Sequence, residues 1–183
     1  YNLGESIPKN FNQIWDVVSS DKINTAVWGP MNTKFKNNKY LKIFFPDPWN
    51  KENFVKPKEL IYMNSFIRAY GQNYTKFDIY KNISKFSLLI FFLIKNGVIF
   101  KLLRYPSIFL ILFKEGLKSY YLFFLMYIVS VLVFKQISRE KNINFSLIFL
   151  NSIAHYQHNY WDDKKTYKNF FILSNILLSI IFD

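Results

Sequence analysis

The stretch INFSLIFL, residues 143–150, is the clearest predicted strand of the chain, and NSIAHYQHNYWDD, residues 151–163, follows it directly. The first stretch is short, apolar and rich in β-branched and aromatic residues, and the polar residues 139–142 precede it. A short continuous apolar run is typical of a strand that is covered on both faces of a sheet. The second stretch contains both histidines of the chain, His155 and His158. The predictions of fold and of site start from these two stretches.

Two further strands are predicted upstream, at residues 23–29 (INTAVWG) and 40–45 (YLKIFF), and each ends at a proline-containing turn. Helices are predicted from Pro8, from Pro57 to near Gly71, within residues 79–141, and at about residues 167–182. Phe11, Ile14, Trp15 and Val18 should form one apolar face of the first helix, and Leu60, Met63, Ile67 and Tyr70 one face of the second. This order predicts an α/β fold, a mostly parallel sheet with helices on both faces.

The length of 183 residues corresponds to one domain, in which residues 79–118 are a candidate helical insertion. The formal net charge is +12, but the lysines are scattered along the chain and no nucleic-acid motif accompanies them. A solvated basic surface is the interpretation that this pattern favours, and no nucleic-acid partner is predicted. Because the chain contains no cysteine, disulfides and thiolate metal sites are excluded, whereas the cellular compartment stays open.

Three apolar runs raise the alternative of a membrane protein, at residues 87–100, 119–134 and 170–182. A membrane-spanning helix needs roughly 20 apolar residues, and shorter runs are more often buried helices. The first run is interrupted by Lys95, Asn96 and Gly97, and the other two are short. The sequence therefore favours buried helices over membrane contact. The alternative function is that of a non-catalytic, membrane-associated helical protein.

The two histidines are the candidate metal ligands. They stand three residues apart, directly after the predicted strand, and the carboxyl ends of strands in α/β sheets are where ligands bind. Two imidazoles at this spacing can point to one side of a tight loop or helical turn and hold a divalent metal. Asp162 and Asp163 could add oxygen ligands. The alternative is that both histidines are ordinary surface or core residues.

The segment FSLIFLNSIAHYQHNYW resembles the zinc-ligand segment of phosphodiesterases and nucleotide pyrophosphatases in the alkaline phosphatase superfamily. In that family the strand ends in an aspartate, and a histidine ligand follows four residues later. His158 matches the histidine, whereas Ala154 stands where the family has the aspartate. His155 matches a position that is not usually a ligand. Either His155 or Asn151 compensates for the missing aspartate, or the metal site is altered.

Residues 5–50, which include FNQIWDVVSSDKINTAVWGPMNT and FFPDPWN, resemble segments of the same family that follow its nucleophile. The resemblance implies an internal piece of an incomplete alkaline-phosphatase-like domain, with the nucleophile expected before Tyr1 and an Asp-His-Gly metal motif after Asp183. It further implies a zinc-dependent hydrolase of small-molecule phosphate or sulfate esters, inactive as this piece alone. His158 would be a zinc ligand, and His155 would be a ligand or would orient the leaving group. Asn151 and Gln157 would fix the imidazole tautomers.

Overall fold

A computed structural model of the chain describes residues 11–31, 33–51, 53–73, 76–116, 119–160, 162–164 and 166–182. The strands are β1 (Thr25–Trp28), β2 (Leu41–Phe45) and β3 (Phe145–Ile148). The helices are α1 (Ile14–Ser20), α2 (Ile61–Gln72), α3 (Ile83–Lys95), α4 (Val98–Leu102), α5 (Pro106–Glu115), α6 (Ser119–Glu140), α7 (Asn151–Tyr160) and α8 (Tyr167–Phe182). The chain divides into two compact units, Tyr1–Asn73 with Gln136–Phe149, and Tyr74–Lys135 with Leu150–Asp183.

The first unit contains a parallel three-stranded sheet with the order β2-β1-β3. Thr25 of β1 pairs with Leu41 of β2 on one side and with Phe145 of β3 on the other. The prediction of an α/β fold with a parallel sheet is therefore confirmed. Each strand is shorter than predicted because the pairing begins only at Thr25, although the carbonyl of Asn24 already accepts a hydrogen bond from Phe145.

The burial of the strands differs from the prediction in one respect. All four residues of β1 are buried, and β2 is buried except for its partly exposed Lys42. In β3, by contrast, Ser146 is exposed and the other three residues are partly exposed. The expectation that β3 is covered on both faces is wrong. β2 also lies at an edge of the described sheet and is nevertheless buried, so the exposure of β3 reflects what packs on its faces, which a run of apolar residues does not reveal.

Two helices of the first unit test the predicted apolar faces. A short 3-10 turn at Lys58–Leu60 precedes α2. The predicted apolar face of this helix is confirmed, since every one of its members is buried: Leu60, Met63, Ile67 and Tyr70. For α1 the prediction is wrong in part. Trp15 packs in a core cluster with Val27, Leu41 and Phe44, whereas Phe11 and Ile14 are exposed. Pro8, the predicted start of that helix, lies outside the described residues.

Helix α6 carries the longest apolar run, and from residue 121 to residue 134 its side chains are buried except for the partly buried Leu122 and Leu125. Within the described residues, the part of this helix from Tyr121 to Glu140 is the one segment long and apolar enough to cross a membrane, and 72% of its most apolar window is buried inside the protein. The prediction that this run is a buried helix is confirmed. Also in the second unit, α8 buries Leu173, Leu177 and Ile180.

Candidate functional site

The carboxyl ends of the three strands meet at one edge of the sheet, because the strands are parallel. The amide of Gly29, the residue after β1, donates to the carbonyl of Phe45 at 2.7 Å. The amide of Phe149, the residue after β3, donates to the carbonyl of Trp28 at 2.9 Å. Gly29 has a φ of +73°, and a Cβ added to it would lie 3.0 Å from the carbonyl oxygen of Phe149. This edge is closed by backbone contacts and leaves little space beside Gly29.

Next to Gly29, a buried polar cluster connects the segments that follow β1 and β2. The amide of Asp47 donates to the carbonyl of Pro30 at 3.2 Å, and the Asp47 carboxylate accepts the amide of Trp49 at 2.9 Å. The side-chain amide of Asn50 donates to the hydroxyl of Thr33 at 2.8 Å. No role for Asp47 was predicted from the sequence, although its position between two prolines marks a turn. These bonds within the protein indicate a structural role, which is to hold the two segments together.

Helix α7 carries both candidate histidines together with Asn151 and Gln157. It begins at Asn151, three positions after β3 ends at Ile148, so the histidines lie on a helix. Its inward side is formed by Ser152 and Tyr156, which are buried and one turn apart. The Tyr156 ring stacks on Phe170 with centroids 4.2 Å apart, its hydroxyl is hydrogen-bonded to Thr166, and burial raises its pKa. These contacts fix the rotation of α7 and thereby the directions of its other side chains.

The two histidines occupy different environments on this helix. His155 is partly buried, and its ring centroid lies 4.5 Å from that of Phe123 on α6. His158, three residues later and therefore on a neighbouring position of the helix surface, is exposed. Burial, and secondly the positive charge that His158 can carry, lower the pKa of His155 below its usual 6.5. At neutral pH His155 is therefore neutral, which is the form that binds metals.

The other residues predicted to belong to the site differ in their burial. Asn151 is partly buried and lies one helical turn before His155, whereas Gln157 is exposed. Asp162 and Asp163 are exposed as well. Among the described residues there is no group of three or more histidine, cysteine, aspartate or glutamate side chains that could hold a metal ion. Zinc ordinarily takes four ligands, so the described residues supply two imidazoles and no complete zinc site.

The chemistry of α7 therefore rests on two imidazoles, one partly buried and neutral and the other exposed. Within the described part of the chain, neither histidine belongs to a group of three or more possible metal ligands. Comparisons of the whole chain with known protein families, with curated proteins and with solved structures found no match in any of the three.

Proposed function

We propose that this chain is part of a metal-dependent hydrolase of phosphate or sulfate esters, built on an alkaline-phosphatase-like fold with helices on both faces of its sheet. One observation carries the proposal: a strand of a parallel sheet leads within three positions into a helix with two neighbouring imidazoles. The lowered pKa of His155 supports a ligand role, because it keeps that imidazole neutral and its lone pair available. The family resemblance of the same residues is independent of this geometry.

The two histidines have different roles in this proposal. His158 is exposed and able to turn towards a zinc ion, so it is the principal ligand. His155 is held against Phe123 and has less freedom, which suits a weaker ligand or a residue that orients the leaving group. Asn151 lies one turn from His155 and can fix its tautomer by a hydrogen bond. The role of Gln157 stays a prediction, because adjacent residues of a helix point in different directions.

The remaining ligands and the nucleophile belong to motifs that the 183 residues do not contain. In the two-metal arrangement that the resemblance implies, His158, with His155 as a possible second ligand, would help to hold metal ions, which would supply polarisation of the ester. We therefore expect the chain alone to show no turnover of a nitrophenyl phosphodiester, with or without added zinc. Robust turnover that a chelator abolishes would contradict this assignment of the nucleophile and of the missing ligands.

Zinc binding by the chain tests the assignment directly. Since the chain contains only two histidines, the imidazole signals in an NMR spectrum number two and can be assigned with single variants. Added zinc should shift both signals, the His158 signal at lower zinc concentration. His158→Gln should abolish the shift of the His155 signal as well, and Lys168→Gln, a control at an exposed position of α8, should leave both shifts intact. If neither signal moves with zinc, the two histidines are ordinary polar residues.

A second candidate function, membrane association without catalysis, is favoured by the surface of the second unit. Three short helices, α3 to α5, expose large apolar side chains: Leu88, Phe91, Ile94, Phe100, Leu110 and Phe113. From the start of α3 to the end of α5, residues 83–115, there are five lysines and arginines and one acidic residue, Glu115. The helices are too short to span a bilayer, whereas apolar side chains among cations suit the surface of an anionic one. The proposed occupant is therefore an anionic lipid surface.

Vesicle sedimentation tests this second candidate. The chain should bind vesicles of phosphatidylglycerol and should not bind vesicles of phosphatidylcholine. Phe100→Ser should weaken binding by about tenfold, the cost of withdrawing one buried aromatic side chain. Phe11→Ser is the matched control, because Phe11 and Phe100 are both 67% exposed and only Phe100 lies on the proposed surface. Self-association that Phe100→Ser relieves, without vesicle binding, would identify a second copy as the occupant and refute the lipid proposal.

A further inference from the structure

The amino edge of the sheet, opposite Asp47, contains a cavity of about 580 Å³. It lies where the chain enters the strands: Asn24 precedes β1, Lys39 precedes β2, and Lys141 precedes β3. The segment 54–58, which is bridged to β2 through Phe44 and Lys56, forms a further wall. The volume falls within the range of small-molecule sites, roughly 300–1,000 Å³.

The charged side chains around this cavity are almost all of one sign, namely Lys39, Lys42, Lys56, Lys58, Lys141 and a single acid, Glu140. Neither of the two ion pairs found in the described part of the chain involves any of these six residues. Five lysines and one acidic residue thus line the same cavity. Neighbouring like charges repel one another, and a bound anion would relieve that repulsion.

Three of these lysines are held in place by neighbouring groups. The ammonium group of Lys56 donates to the carbonyl of Asn38 at 2.9 Å, which uses one of its three N–H groups. The ammonium groups of Lys39 and Lys42 both lie 5.8 Å from the centroid of the Tyr40 ring, within the range of a cation–π interaction. Positions that are fixed before a ligand arrives reduce the entropy lost on binding.

The charge repulsion within the cavity also affects Lys56 itself. Its partial burial, and secondly the charge of Lys42, lower the pKa of Lys56 below its usual 10.5. Lys42 and Lys56 both line the cavity, so their charges contribute to the same local potential. A divalent or higher anion placed between them would be attracted to both.

We infer that this lysine cavity binds a small molecule with two or more phosphate groups. One phosphate would meet Lys42 and Lys56, and a second would meet the lysines at the rim, Lys39 and Lys141. Lysine is a common partner of phosphate, to which it offers a compact point charge. A monovalent anion would balance only one of the ammonium groups, so it should bind more weakly. The inference does not depend on the histidines of α7 or on the proposed hydrolase function.

Calorimetric titration of the chain with inorganic tripolyphosphate tests the inference, with orthophosphate titrated at the same ionic strength. Tripolyphosphate should bind with one site per chain and at least about tenfold more tightly than orthophosphate, because it can contact several ammonium groups at once. The double variant Lys42→Gln with Lys56→Gln should weaken binding by about tenfold or more. The control, Lys34→Gln with Lys51→Gln, removes the same charge from exposed positions outside the cavity and should change affinity by less than about twofold.

Two further measurements keep the test decisive. Lys39→Gln with Lys141→Gln removes two exposed lysines of the rim and should also weaken binding, so the inference does not depend on the folding of the Lys56 variant. Vesicles that contain a phosphorylated inositol lipid distinguish a lipid headgroup from a soluble ligand. Binding to vesicles and to tripolyphosphate, lost together in the cavity variants, would assign the site to a headgroup. Equal losses in the cavity and control variants, or no saturable binding, would overturn the inference.

Discussion

Replacement of Gly29 by alanine tests the closure of the sheet at its carboxyl edge. Gly29 has a φ of +73°, which costs a residue with a Cβ about 1–2 kcal/mol. The added Cβ would also lie 3.0 Å from the carbonyl oxygen of Phe149, a residue whose amide is hydrogen-bonded to Trp28. Overpacking of this kind costs about 1–3 kcal/mol more. We expect Gly29→Ala to lower the free energy of unfolding by about 2–5 kcal/mol.

Gly97 provides the matched control for this substitution. Its φ is +66°, close to that of Gly29, but an added Cβ would meet no atom within 4 Å. Gly97→Ala should therefore cost only the backbone term, about 1–2 kcal/mol. Urea unfolding followed by circular dichroism measures both variants, and tryptophan fluorescence reports mainly the first unit, which contains three of the four tryptophans, Trp15, Trp28 and Trp49. Equal losses for the two variants would refute the claim that the Phe149 carbonyl closes this edge.

Three further predictions concern packing and pH. Gly71→Ala should destabilise the chain, because the added Cβ would lie 2.7 Å from Cβ of Pro48, and this clash should outweigh a gain of about 1 kcal/mol in helix propensity. Unchanged or increased stability in urea would contradict the close contact. Phe44→Ala should cost about 3–5 kcal/mol, since Phe44 is fully buried in the core cluster, and a loss below about 1 kcal/mol would show that the cluster is not a core. For His155, the folded pKa lies below the usual 6.5, so the unfolded chain binds the proton more readily and stability is lost as pH falls below about 6.5. His155→Gln should reduce this loss in melting experiments between about pH 7 and pH 5, and an identical pH dependence in both proteins would refute the burial of His155.

The sequence was sufficient to predict the strands of the first unit and their parallel arrangement, because short apolar runs with turn residues at their ends leave few alternatives. It was not sufficient to place β3 at an edge, since the same run suits a central strand and an edge strand. The exposure of Phe11 was missed for a related reason. The spacing of Phe11 and Trp15 indicates a shared helix face, but α1 begins only at Ile14.

The candidate sites could likewise be predicted only in part from the sequence. The sequence identified His155 and His158, and their helical spacing was one of the two arrangements expected. It did not indicate the lysine cavity, because Lys39, Lys56 and Lys141 are far apart in the chain and look like scattered surface charges. They come together only because the strands are parallel, which places the residues that precede each strand at one edge of the sheet.

The order of the strands along the chain also determines when each strand becomes available for pairing during synthesis. β1 and β2 are close in sequence, whereas about 100 residues separate the end of β2 at Phe45 from the start of β3 at Phe145. At translation rates of about 5–20 residues per second, those residues take about 5–20 seconds to emerge. β1 is the central strand, yet its second partner, β3, is the last of the three strands to be synthesised. For that interval one side of β1 can pair with another nascent chain, which makes the period between the second and third strands the one in which misassembly is most probable.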